Sequence, residues 1–153
     1  MQSDLIFRLA TKGDLGTIVE MLADDPLGAS RETINAPLSE AYLNAFARIS
    51  SDTNQELTVA EIDGEIVGTF QLTFIQYLTH GGGMRAQVEA VRVNSAHRGE
   101  GIGAQLLQYA IKRAKEKGCH LVQLTTDKQR PRAIQFYELL GFIASHEGMK
   151  RKL

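Results

Sequence analysis

The chain has 153 residues, 17 basic and 18 acidic side chains, a formal net charge of -1, and a composition that is 43% hydrophobic and 23% charged. That length corresponds to one domain, residues 1–153, able to bury a core without metal or disulfide staples. The charge balance argues against nucleic acid or an anionic membrane as partner. The single cysteine, Cys119, excludes an internal disulfide framework, and no apolar run approaches the roughly 20 residues of a membrane span.

The opening MQSDLIFRLA carries an acid and lacks an apolar signal core, so a cytoplasmic protein is expected. Residues 5–9 read as a short strand. Thr11 or Asp14 is placed to cap a helix in which Leu15, Ile18, Val19 and Leu22 recur at helical spacing, and Asp24-Asp25-Pro26 ends it. Residues 27–37 are polar and aperiodic, hence a loop. A second helix is expected over 38–49, with Leu43, Phe46 and Ile49 on one side. Residues 56–62 and 65–77 read as strands around Asp63-Gly64, a strong hairpin signal. Simple alternation puts Ile66, Gly68, Phe70, Leu72 and Phe74 on one face. Gly81-Gly82-Gly83 breaks the chain, and 86–93 is the next strand.

Residues 101–117 place Ile102, Leu106, Ala110 and Ala114 in helical step and end at Gly118, a C-terminal cap. A short apolar strand follows at 119–124. Pro131 suits the first turn of a helix that ends before Gly141, and residues 142–152 hold one or two closing strands. The order is β-α-α-β-β-β-α-β-α-β. It describes a mixed α/β (α+β) domain with an early antiparallel hairpin and a late β-α-β crossover.

The densest motif lies between Val91 and Ala104. A strand leads into Arg98-Gly99-Glu100-Gly101-Ile102-Gly103, and this turn opens a helix. Glycines admit close backbone approach, and the first N–H groups of a helix are free and sit at its positive end, which suits phosphate. Three readings compete. The glycines shape a tight turn; or Gly99, Gly101 and Ala104 satisfy a dinucleotide G-x-G-x-x-G/A; or the turn cradles another pyrophosphate. The dinucleotide reading is weakened because the motif is displaced from the strand and only about 50 residues follow it. No Gly-Lys-Ser/Thr follows, which excludes a Walker loop.

The segment Arg98–Gly103 resembles the Arg/Gln-x-x-Gly-x-Gly/Ala signature of the GNAT superfamily of N-acetyltransferases. Ala133-Ile134-Gln135-Phe136-Tyr137-Glu138-Leu139-Leu140-Gly141-Phe142 is similar to that family's closing A-x-x-F-Y-x-x-x-G-F block. Residues 88–95 also resemble the matching strand of glucosamine-6-phosphate acetyltransferases. The resemblance implies a central mixed sheet of about six or seven strands with about four helices. It implies acetyl-CoA as co-substrate. Arg98, Gly99, Glu100, Gly101, Ile102, Gly103 and Ala104 would hold its pyrophosphate, and Val91, Arg92, Val93, Arg130, Ala133 and Phe136 its arm. Arg130 stands where family members often carry Asn, and Glu100 sets a carboxylate beside the phosphates. A homodimer is plausible from the family.

Acetyl transfer needs a neutral amine, and about 1 in 2,500 lysine-like amines is neutral at pH 7, so a general base is useful. Glu89 is the candidate base, or it acts through an ordered water. Alternation places it on the face of Val91 and Val93; a solvent-facing residue or a partner for Arg85 or Arg92 is the structural reading. The resemblance points to main-chain N–H groups of residues 91–93 for the developing oxyanion and to Tyr137 as acid for the leaving thiolate. Cys119, in an apolar run, is expected to be inert packing. His80, His97, His120 and His146 show no metal spacing, so no metal is expected; His97 is a surface residue or a phosphate contact.

The acceptor side is expected from residues 27–37, the second helix and residues 74–84. Arg31, Arg48 and Arg85 are candidates for an anionic substrate, or ordinary surface arginines. Phe74 and Tyr77 line a slot or belong to the core. Lys150-Arg151-Lys152 aids acceptor recognition or protects an edge strand. The expected function is therefore acetyl transfer to a primary amine of a small molecule. A protein N-terminus or lysine is the alternative acceptor, and a non-catalytic acyl-CoA-binding module is the second alternative.

Overall fold

The computed structural model describes residues 4–153. Strands β1 (Ile6–Leu9), β2 (Gln55–Ile62), β3 (Glu65–Gln76), β4 (Met84–Val93) and β5 (Leu121–Leu124) form one sheet in that spatial order. The first four are antiparallel neighbours, and β5 joins β4 in parallel. A parallel step needs a crossover, which α4 (Ile102–Glu116) provides. Asp63 and Gly64 take positive φ values of 51° and 83°, as a tight hairpin turn between β2 and β3 requires.

The sheet has two covered faces. Leu15, Ile18 and Met21 of α1 (Leu15–Ala23) pack with Val59 and Ile66, and Leu43 and Phe46 of α2 (Glu40–Ser51) close over them. On the other face Leu106, Leu107 and Ala110 of α4 meet Phe70, Leu72, Phe74 and Val88. Phe136 and Tyr137 of α5 (Pro131–Leu139) pack at the rim of this second core. Phe74 is therefore core, with the Lys117 ammonium 5.2 Å from its ring centre. The glycine break is a single helical turn, α3 (Thr79–Gly82), so five helices are present among the described residues where about four were expected.

Two bulges overturn simple alternation. Gly68 pairs with Ala60 but Ile66 with Glu61, so Val67 is an extra residue on β3. Ile66 therefore belongs to the α1 side and Phe70 to the α4 side, not to one face. On β4, Arg92 pairs with Thr69 and Glu89 with Gln71, which inserts a residue at Ala90, held at φ 54°. Such an insertion reverses every later side chain.

The expected six or seven strands are five among the described residues. The stretch 142–152 forms no strand. Only Phe142 reaches the core; beyond it come Ala, Ser, His, Glu and Gly, with Ile143 83% and Met149 93% exposed. A segment with no apolar face gains too little burial to hold a place at the sheet edge.

Asp14 fixes the entry to α1. Its carboxylate accepts from Thr11 N–H (2.7 Å), Thr11 Oγ1 (3.1 Å) and two nitrogens of Arg8 (2.7 and 3.0 Å). The Arg8 hydrogen bonds outweigh burial and hold this carboxyl at about 2, against 3.8 ordinarily. Its contribution to stability is therefore complete above pH 4 and lost as pH falls through 2. Asp14→Asn should cost on the order of 1–2 kcal/mol at neutral pH, discounting for solvent around Arg8. Urea titrations at pH 7 and pH 2 check this: the gap between variant and parent should narrow at the lower pH.

Candidate active site

β5 ends at Leu124, opposite Val88, while β4 runs on to Val93. The edge of β4 beyond Val88 thus opens a fork in the sheet. Asn94 N–H bonds back to Val67 O on β3 (2.8 Å). Alternation then turns the N–H groups of Val93 and Val91 away from β3, into the fork.

The glycine turn sits at the end of the same strand. Gly99 and Gly101 lie at φ 85° and 78°, conformations that side-chain-bearing residues rarely adopt, and the space above both is open. Gly101 caps α4, so the N–H groups of Ile102, Gly103 and Ala104 have no partner within the helix. Gly103 admits α5 closely: a Cβ there would stand 3.3 Å from Phe136 Cζ. Glu100, the unexpected acid, turns its carboxylate to His97 Nδ1 (3.0 Å). Arg98 reaches across to the carbonyl and carboxylate of Asp24 (3.1 and 3.2 Å). These residues fit a pyrophosphate: free donors, a helix N-terminus, and an arginine held only by exposed contacts to Asp24.

Tyr137 is packed edge-on against Phe136 and Phe142, and its hydroxyl bonds to no protein group among the described residues. Burial pushes its phenol up, while the charges of Arg92 and Arg130 pull down and only partly offset that rise. The hydroxyl therefore keeps its proton at neutral pH. Ala133 lies one turn earlier on α5.

Glu89 is not on the face of Val91 and Val93. The Ala90 bulge separates them: the two valines pack toward α4, whereas Glu89 stands beside Gln71 on the α1 side. That side holds a cavity of about 110 Å³ lined by Leu15, Ile18, Tyr42, Phe46, Gln71 and Ala90. Glu89 is exposed and makes no ion pair or hydrogen bond with another described residue. Neither Arg85 nor Arg92 engages it. Arg85 bonds to Gln123 (3.2 Å) and lies over the Tyr77 ring, while Arg92 turns to Asp25.

Asp25 and Asp24 are the residues that sequence reading passed over, taking them as a helix end. Asp25 Oδ2 faces Arg130 Nη2 (2.5 Å), Arg92 Nη2 (3.5 Å) and Arg31 Nη2 (3.9 Å), and accepts from Gly28 N–H (2.9 Å). Burial alone would raise its carboxyl; Arg130, Gly28 and Arg92 more than offset this and lower it. Arg130 is thus tied to the end of α1. The loop 27–37 is fastened to α2 through Tyr42, which donates to Glu32 (2.7 Å) and accepts from Thr33 N–H (3.0 Å). Arg48 lies in the last turn of α2. Cys119 is half-buried and burial raises its thiol, as inert packing implies. Among the described residues no group of side chains could hold a metal ion, and no helix is long and apolar enough to cross a membrane.

Comparison with known proteins agrees with this geometry. The chain is 32% identical over 107 residues to an aminoalkylphosphonate N-acetyltransferase of Salmonella typhimurium, covering 70% of this chain and 69% of that one. It is 29% identical over 152 residues to a glucosamine 6-phosphate N-acetyltransferase of Trypanosoma brucei brucei, covering 98% and 97%. A solved structure from Bacillus halodurans C-125, described as a transcriptional regulator, is 57% identical with a TM-score of 0.95, covering 98% of this chain and all of that one. The model of the acetyltransferase (GNAT) family matches residues 18–142. With the fork, the glycine cradle and the tyrosine of α5 in place, the chain belongs to the GNAT family of acetyltransferases and is an enzyme of that family.

Proposed function

We propose that the chain moves an acetyl group from acetyl-CoA to the primary amine of a small molecule by direct attack in a ternary complex. The observation that carries this reading is the bulge at Ala90. On one strand it separates a fork lined by free N–H groups from an exposed carboxylate, Glu89, which pairs with Gln71 and precedes Ala90, both of which line the cavity. The fork and the cradle from Arg98 to Ala104 suit the co-substrate, whose contribution is an activated acetyl thioester. Ala133 and Phe136 would flank its arm, and the N–H groups of Val91 and Val93 are placed to stabilise negative charge developing on the acyl oxygen. Glu89 takes the proton from the attacking amine, directly or through a water. Tyr137 supplies a proton to the departing sulfur. The acceptor side is the cavity between α1, α2 and the sheet, whose small size favours a compact amine over a peptide. Both curated relatives are named for small amines, which supports the same choice.

Glu89→Gln tests the assignment. In the parent enzyme kcat/KM should fall toward acid pH as the base becomes protonated. The variant should be slower by about 10²-fold near neutrality and should lose that acidic limb. A pH–rate profile that keeps its shape in the variant would remove Glu89 as base.

A further inference from the structure

The strongest unexplained feature is the group of arginines on the cavity side of the fork. Arg92, on β4, is 17% exposed, and its Nε is buried without a partner. Arg130, from the start of α5, and Arg31, from the α1–α2 loop, converge on the same carboxylate oxygen of Asp25. Three guanidinium groups therefore share one acid, and the cluster holds a surplus of two positive charges. The groups around it do not cancel that surplus. Asp24 is already paired with Arg98, Tyr137 is neutral, and the Glu32 carboxylate turns to the Tyr42 hydroxyl and pairs with none of the three arginines. Confining like charges this closely is unfavourable, and a buried N–H without an acceptor adds to the penalty. Such an arrangement becomes favourable when an anion arrives, because guanidinium forks match the oxygens of phosphate in charge and in shape.

The cluster adjoins the glycine cradle through Asp24 and Asp25 but gathers around a different acid. Arg92 pairs with Thr69 and Glu89 with Gln71, and Thr69 and Gln71 both line the cavity on the α1 side, so Arg92 and Glu89 share the acceptor face of β4. The cradle has its own arginine, Arg98. We infer that Arg31, Arg92 and Arg130 bind a dianionic phosphate or phosphonate group carried by the amine acceptor, and that Asp25 acts as the internal counter-ion which that group replaces. The inference rests on the acetyl-transfer reading for the identity of the ligand, but the anion site itself does not.

The test is calorimetric titration of the full chain with methylphosphonate, with CoA saturating so that the cradle is filled. Saturable binding is expected. Arg31→Met, at a position 57% exposed where folding is not at risk, should weaken it about tenfold and leave acetyl-CoA affinity within about twofold. Asp25→Asn keeps an acceptor for Gly28 N–H but removes the competing charge, so it should tighten methylphosphonate binding severalfold. No saturable binding in the parent protein would overturn the inference. So would equal binding by parent and Arg31→Met, or an acetyl-CoA affinity that falls with Arg31→Met as far as methylphosphonate binding does. Weakened binding in a folded Asp25→Asn protein would also contradict it, since a merely structural aspartate has that effect. If methylphosphonate binds through Arg31 but no phosphorylated or phosphonylated amine releases thiol from acetyl-CoA, the transfer reading fails and the anion site stands.

Discussion

Tyr137→Phe is expected to lower kcat by about 10²-fold, the lower end of what a positioned general acid contributes. A thiol with a pKa of about 8.5 leaves without great difficulty, which keeps the effect from being larger. The affinity for acetyl-CoA should stay within about twofold, because phenylalanine preserves the ring contacts with Phe136 and Phe142. The hydroxyl bonds to no protein group among the described residues, so its removal strands no partner. Since burial raises the phenol from its ordinary 10.0, ionisation of Tyr137 should not limit the rate below pH 10. Single-turnover kinetics with matched calorimetry separate the two quantities. A large loss of acetyl-CoA affinity with little loss of rate would make Tyr137 a packing or binding residue.

Gly101→Glu should weaken acetyl-CoA binding by at least about 100-fold, or close to 3 kcal/mol. Two effects add. A left-handed conformation at φ 78° is strained for glutamate, by about 1–2 kcal/mol. The new carboxylate also occupies the positive end of α4, where phosphate oxygens would lie. Gly118→Glu separates the two effects. Gly118 has a similar φ of 80° with open space around it, but stands after the C-terminal end of α4. It should lose comparable stability and bind acetyl-CoA as the parent does. Equal weakening by both substitutions would mean that backbone strain, not the cradle, controls affinity.

The features legible in the sequence were those with local causes. The helix of residues 102–116 follows from apolar spacing, a glycine cap before it and Gly118 after it. The hairpin follows from Asp63-Gly64, whose positive φ values few other pairs accept. The glycine turn and the A-x-x-F-Y block are visible for the same reason: each is one short segment, and the structure keeps the positive-φ glycines and the packed Tyr137 within it. Insertions were not legible. Bulges such as those at Val67 and Ala90 leave no mark in a run of strand-forming residues, yet each reverses a face. Simple alternation therefore puts Glu89 on the face of Val91 and Val93, the opposite of where the Ala90 insertion sets it. Nor was the arginine cluster legible, since Asp25 and Arg130 lie 105 positions apart and only the sheet brings them together. Residues 142–152 show the opposite error, a strand expected from position in the fold where the side chains have nothing to bury.

Every proposed role in the site depends on the co-substrate. Isothermal calorimetry of the parent protein with acetyl-CoA, set against NADH at the same concentrations, is the direct measurement. One molecule of acetyl-CoA should bind per chain with micromolar affinity, with NADH binding far more weakly. No acyl-CoA binding, or a preference for NADH, would contradict the assignment of the fork and the glycine cradle.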